Sequence, residues 1–353
     1  MKRICHLLLI LILSATAAEA DSYRFEYMKA LETPGDASLA ISNTSGNITV
    51  MSSEADSITI EAVKHITAAD QQEAEELGEY IDIDVRKSGD RIIVSTQYRT
   101  PPNRRQSFWE KLLGKNSDAF GSVDYSITVP QACEVQIRNS SGDVIVSGLS
   151  AELYIVGSSG AFRVENIRAP VSVETISCNV ALSGVEGDID ISSTSSNITL
   201  ASITGMIDVR STSGRTIGSY IDGPLKISKT SGDIEIEHLS GDLRVKSTSG
   251  SVDVSQEAGA IDILTQSGNV AIRTELSSDL GYFVETVSGS IHFRVPESSS
   301  GSVNLETISG DINTELPVTI RSFSKSRLVG DFGGHGPKIL LATSSGDITL
   351  GQY

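Results

Sequence analysis

Ser231-Gly232-Asp233-Ile234-Glu235-Ile236-Glu237-His238-Leu239, followed at once by Ser240-Gly241-Asp242-Leu243-Arg244-Val245-Lys246-Ser247-Thr248, decides the fold. A Ser-Gly turn precedes two apolar residues that flank a polar one, and the same pattern then returns. Apolar residues at alternate positions mark a short strand with one buried face, and Ser-Gly marks the turn that feeds it. The unit is nine residues long and runs without insertion or deletion from Gly142 to Gly268. With its first residue as position zero, Gly142, Gly160, Gly187, Gly205, Gly214, Gly223 and Gly232 fall in phase, as do Cys178 and Ser196. A fixed short period of strand and turn predicts an all-β, parallel β-solenoid.

Position seven carries a second rhythm. Ser158, Ile176, Thr194, Thr212, Thr230, Thr248 and Gln266 form one series, mostly hydroxyl-bearing. Leu149, Ile167, Val185, Ile203, Ile221, Leu239 and Glu257 form the other, mostly aliphatic. The coil is therefore about eighteen residues, with two strands per coil. One edge is expected to stack buried hydroxyls bonded to turn backbone, the other aliphatic side chains.

Around this core the chain divides into a leader (1–20), an N-terminal cap of strands with one short helix (21–131), and the solenoid (132–353). The solenoid reads as regular over 133–276 and irregular over 277–353. Lys2 and Arg3, the apolar run Leu7–Leu13 and Ala18-Glu19-Ala20 read as a signal peptide cleaved after Ala20. No apolar stretch is long enough to cross a bilayer as a helix. The expected location is the periplasm, the cell surface or the medium.

The cap reads as strands near 23–28, 39–42, 47–50, 57–63, 81–86 and 91–96. A helix is predicted over Ala68–Tyr80 with Thr67 as its N-cap. After Gly268 three extra residues precede Tyr282. The segment 316–336, Gly-rich around Gly330–Gly336, precedes a last strand at Ile348–Leu350; either this loop covers the C-terminal end or the last coil is left uncovered.

The formal net charge is −17, one unit more negative without the leader. That balance disfavours nucleic acid and anionic membrane as partners. Against it, the insertion 99–120 is basic and holds the only tryptophan. Arg104, Arg105, Phe108, Trp109 and Lys111 are the candidate partner-contact residues. Cys133 and Cys178 stand five units apart, on opposite edges and about 12 Å apart along the axis at ~4.8 Å per coil. That exceeds the reach of a disulfide, so two free, structural thiols are expected.

No cofactor, metal or catalytic site is predicted. A calcium column needs an acid at every turn, and Arg215, Pro170 and Met206 interrupt the acid position, which reads instead as a series of Asx turns. The carboxylate pairs Asp190/Asp208 and Asp253/Asp262 lie on a flat face without a base or pocket. His65, His238, His292 and His335 are scattered.

Tyr125-Ser126-Ile127-Thr128-Val129-Pro130, the repeated Ser-Gly-Asp-Ile-x-Ile of residues 231–236 and the closing Ser344–Leu350 carry a resemblance. Their order along the chain resembles a family of exported bacterial proteins of unknown function, called "putative adhesins", with a domain of unknown function. The resemblance spans nearly the whole chain after the leader and implies an adhesin-like surface or periplasmic module. The function expected is non-enzymatic binding through repetitive sheet faces or terminal loops, with an envelope protein or glycan as partner. A self-associating structural module is the alternative, and a polysaccharide-active enzyme a distant third.

Overall fold

A computed structural model of the chain describes residues 21–34, 36–99 and 120–353, which form 29 strands and one helix. Successive coils stack in parallel at constant offset. Leu153, Val171, Ile189, Ile207, Leu225, Leu243 and Ile261 lie one above another in one stack. Phe162, Val180, Ile198, Thr216, Ile234, Val252 and Val270 do so in the other. These residues are buried, so the two stacks face each other across a thin aliphatic core. Two long strands, Leu153–Ile167 and Val171–Glu186, run on round the turn and join the stacks into one continuous sheet that does not close. The fold is the expected solenoid of two strands per eighteen-residue coil.

The parallel stacking extends N-terminal of residue 132. Strand Ser38–Ser45 lies in register on Glu134–Ser141, and Ile48–Ser53 on Val144–Ser147. The isolated Ser45-Gly46-Asn47 motif is thus a turn of a full coil. Above it sit Arg91–Tyr98 on one stack and Gly121–Pro130 on the other. Antiparallel strands then finish both edges: Ile81–Ser88 on one, Ser57–Ala68 and Asp21–Glu32 on the other. The helix, Gln71–Gly78, lies beside this end.

The helix N-cap is Asp70, not Thr67. Asp70 Oδ1 accepts from Glu73 N at 2.8 Å, and Glu73 Oε2 accepts from Ala69 N at 2.7 Å. Thr67 is unsuited because it still belongs to the strand Ser57–Ala68, paired with Ser22.

The C-terminal end is interleaved. Lys338–Ser345 pairs with Gly281–Ser288 on one side and with Gly301–Ser309 on the other. Ile348–Gln352 likewise lies between Ile291–Val295 and Ile312–Thr314. The last segment of sequence is therefore the penultimate coil in space. Of the two expectations the uncovered last coil does not hold: Ile339, Leu341, Ile348 and Leu350 are buried between coils on both sides. The hairpin of Thr319–Ser324 and Arg327–Phe332 covers the edge of Gly301–Ser309 in antiparallel fashion.

The two turn edges differ in backbone. At positions two and four both strands point inward. At the Ser-Thr edge the chain stays extended, so position six also points inward. Thr175, Ser211, Lys229, Ser247 and Thr265 are buried there and Ser193 half-buried, while Thr212, Thr230 and Thr248 at position seven are exposed. The hydroxyl series expected inside is thus outside, and the buried hydroxyls are the residues just before it. At the opposite edge position six is left-handed: Gly148, Asn166, Gly184, Ser202, Tyr220 and His238 all have positive φ, between 54° and 82°. One left-handed residue breaks the alternation and turns position seven inward, which buries Leu149, Ile167, Val185, Ile203, Ile221 and Leu239.

Candidate functional surfaces

The candidate contact residues Arg104, Arg105, Phe108, Trp109 and Lys111 lie outside the described residues. The residues that bracket them are fixed. Arg99 N–H donates to Tyr80 O at 2.8 Å, and its guanidinium meets Asp82 at 3.0 Å. Phe120 is buried, and its carbonyl accepts from Thr67 N at 3.1 Å. The insertion therefore leaves and re-enters the cap near the two ends of the helix.

On the sheet faces, outward rows align charges between coils. Arg210 bridges Asp190 at 2.9 Å and Asp208 at 2.6 Å, and Lys226 meets Asp208 at 2.8 Å. Arg244 meets Asp262 at 3.0 Å, one coil away. Of the aligned carboxylates noted in the sequence, Asp190, Asp208 and Asp262 are thus matched by cations. The carboxylates raise the affinity of Arg210 for its proton, chiefly through its hydrogen bond to Asp190.

Along the Ser-Thr edge runs an open groove of about 700 Å³, lined by Ser211, Thr212, Lys229, Thr230, Lys246 and Thr265 among others. Its floor is the buried position-six column. Ser211 Oγ donates to Ser213 O at 2.9 Å and Ser247 Oγ to Ser249 O at 3.2 Å. Lys229 takes a hydroxyl's place: its ammonium donates inward to Gly214 O and, at 3.1 Å, to Thr216 Oγ1. Burial lowers its pKa to about 8. The thiols serve packing. Cys133 and Cys178 are both buried and free, and burial pushes Cys133 up to about 12 and Cys178 upward.

The acid position works between coils. Asp143 Oδ1 accepts from Ala161 N, Asp188 from Met206 N, Asp233 from Ser251 N and Asp242 from Ala260 N, all at 2.8–2.9 Å. Asn197 and Asn269 do the same for Arg215 N and Ser290 N at 3.0 Å. Each side chain satisfies a turn amide of the next coil, not one of its own turn as an Asx turn would. Among the described residues no cluster of three His, Cys, Asp or Glu side chains is placed to hold a metal ion.

These coils match a known family model over residues 37–238, 215–296 and 241–351. The chain belongs to the Toastrack DUF4097 family. This Toastrack chain is similar to a "putative adhesin" from Parabacteroides distasonis at 10% identity and a TM-score of 0.32, covering 95% of this chain and 98% of that one. A "putative lipid binding protein" from the same species has 10% identity and a TM-score of 0.32, covering 93% and 96%. A "putative cell adhesion protein" from Clostridium sporogenes has 9% identity and a TM-score of 0.22, covering 94% and 100%. No curated protein matches the sequence.

One Toastrack surface escaped the sequence reading. Tyr220 and His238 occupy successive left-handed positions and stack, with ring centroids 4.7 Å apart and planes 5° apart. His238 Nδ1 lies 2.8 Å from Glu257 Oε1. Tyr220 is 63% exposed, although only 5% of the chain is aromatic. The signal was present: two aromatics eighteen residues apart, at one position of alternate units.

Proposed function

We propose that this Toastrack chain is a non-enzymatic, exported binding module of the cell envelope, with an envelope protein or glycan as its partner. The observation that carries this reading is the pair of long, regular sheet faces. On them Arg210, Lys226 and Arg244 pair with carboxylates along the aligned rows, and an open groove runs beside them along the Ser-Thr edge. Such surfaces offer many equal, shallow contacts, which suits an extended or repetitive partner. The leader takes the chain out of the cytoplasm, and the basic aromatic insertion 99–120 supplies the end-on contact. Capture from envelope extract tests this. The full chain is expected to retain an envelope component, and F108S/W109S or deletion of 99–120 to reduce that retention. Equal retention would remove the insertion from the reading, and no retention by the full chain would contradict it altogether.

Self-association is the second reading. Strand Thr319–Ser324 is the outermost of its stack and exposed along its whole length, with Ile320 and Phe323 at 53% and 66%. Unpaired edge strands recruit further strands. Light scattering is expected to show concentration-dependent growth that I320K/F323K suppresses, whereas a strict monomer at all concentrations sinks this reading.

A further inference from the structure

The left-handed column has an uneven profile. From one coil to the next its side chains are those of Asn166, Gly184, Ser202, Tyr220 and His238. Glycine and asparagine accept this backbone at little cost, but a bulky aromatic residue does not. The fold is served at Gly148 and Gly184 without any side chain, so packing does not call for the rings. A strained backbone that presents an exposed side chain points to a use for that side chain.

The geometry explains the use. The rings stack along the solenoid axis, so one face of Tyr220 is covered by His238. The other face looks toward Ser202 and then Gly184, one and two coils earlier in the column. These are too small to cover it, and the Asn166 carboxamide lies beside Gly184, its Oδ1 2.9 Å from where a Cβ there would be. At ~4.8 Å per coil, Asn166 and Tyr220 stand about 14 Å apart. The column thus leaves a shallow slot beside the exposed ring, with the Ser202 hydroxyl next to it and the Asn166 carboxamide beyond Gly184. Glu257 holds the His238 ring that backs Tyr220, and Asp222, exposed two residues beyond Tyr220, supplies a carboxylate.

We propose that this slot binds a neutral pyranose residue of a glycan. The C–H face of the sugar lies on the open face of Tyr220, and its hydroxyls bond to Ser202 and Asp222. An aromatic cage for an ammonium group would surround the cation with rings, whereas here one face is open and the rest of the lining is hydrogen-bonding. The proposal rests on the binding-module reading and names its ligand class.

The test is a glycan array carrying neutral and acidic oligosaccharides, probed with the mature full chain, Y220F and Y220S. Ser202 already occupies the equivalent position, so Y220S keeps the fold, and its melting curve checks this. Neutral pyranose glycans should be retained by the wild type and by Y220F, and retained at least tenfold less by Y220S. The proposal is overturned if the wild type retains no neutral glycan, binds only acidic ones, or binds equally as Y220S. If envelope capture persists while the array stays blank, the slot fails and the binding module stands. If both are blank, both fail.

Discussion

The two turn edges of each coil are built from the same nine-residue unit and solve the turn differently. At the Ser-Thr edge the backbone stays extended to position six, and a buried hydroxyl satisfies the carbonyls of the turn. At the opposite edge a left-handed residue takes position six, and an aliphatic side chain at position seven fills the corner. A single dihedral inverts which of two neighbours is inside. The difference separates their uses: the extended edge lays out a polar groove, and the left-handed edge throws its position-six side chains outward, where Tyr220 and His238 stand.

The largest expected effect tests the close approach of coils at position zero, which both edges share (a Cβ at Gly241 of the opposite edge would lie 2.2 Å from Gly223 O), against the looser left-handed position six. A Cβ at Gly232 would lie 2.0 Å from Gly214 O, at a φ of +101°. Gly232→Ala should cost about 3 kcal/mol or more. At position six of the opposite edge a Cβ on Gly184 would be crowded only by the flexible Asn166 Oδ1, at 2.9 Å and φ +63°. Gly184→Ala should cost about 1–2 kcal/mol. Equal losses in urea unfolding would break the comparison.

Corner filling comes next. Leu239, fully buried at position seven, should lose about 2–5 kcal/mol on truncation to Ala. Thr230→Ala, at position seven of the Ser-Thr edge and exposed, should stay within about 0.5 kcal/mol. Denaturant midpoints of the two variants measure this.

The buried lysine sharpens the Ser-Thr edge through pH. Its folded pKa is lowered to about 8, so above pH 8 the unfolded chain binds more protons than the folded one. Stability should rise between about pH 8 and 10, by on the order of 2 kcal/mol, and Lys229→Thr should abolish that rise. Tyr125 acts in the opposite sense. Burial raises it to about 12, so above pH 10 the unfolded chain loses its proton first and stability falls. Thermal melts at stepped pH read both slopes. The smallest effect is at the left-handed edge: Tyr220→Gly should relieve the backbone and gain about 1 kcal/mol, less whatever the ring stack contributes.

Much of this was legible in the sequence because strand parity is a local rule. Val144 and Val146, or Ile234 and Ile236, announce two inward residues per unit, and the register follows by counting. The three residues inserted before Tyr282 appear as the step from Ile261 to Tyr282 in the ladder. Position six was not legible. Only Gly148 and Gly184 hint at a left-handed residue, while Asn166, Ser202, Tyr220 and His238 take that conformation because the corner demands it. The interleaved C-terminus was hidden too, since Ser344-Ser345-Gly346-Asp347 fits any coil equally well and long-range pairing chooses among them. Of the candidate site, the residues named from composition lie in 100–119, outside the described residues. The Tyr220–His238 stack arises only when the eighteen-residue offset is combined with the left-handed backbone.

The inversion of positions six and seven can be read directly by thiol labelling, because Cys133 and Cys178 are buried. Cysteine is placed singly at Ser211, Thr212, Tyr220 and Ile221 of the folded, mature chain. The account predicts rapid labelling at 212 and 220, and protection at 211 and 221 until the chain unfolds. Labelling at 211 with protection at 212, or labelling at 221 with protection at 220, would contradict it.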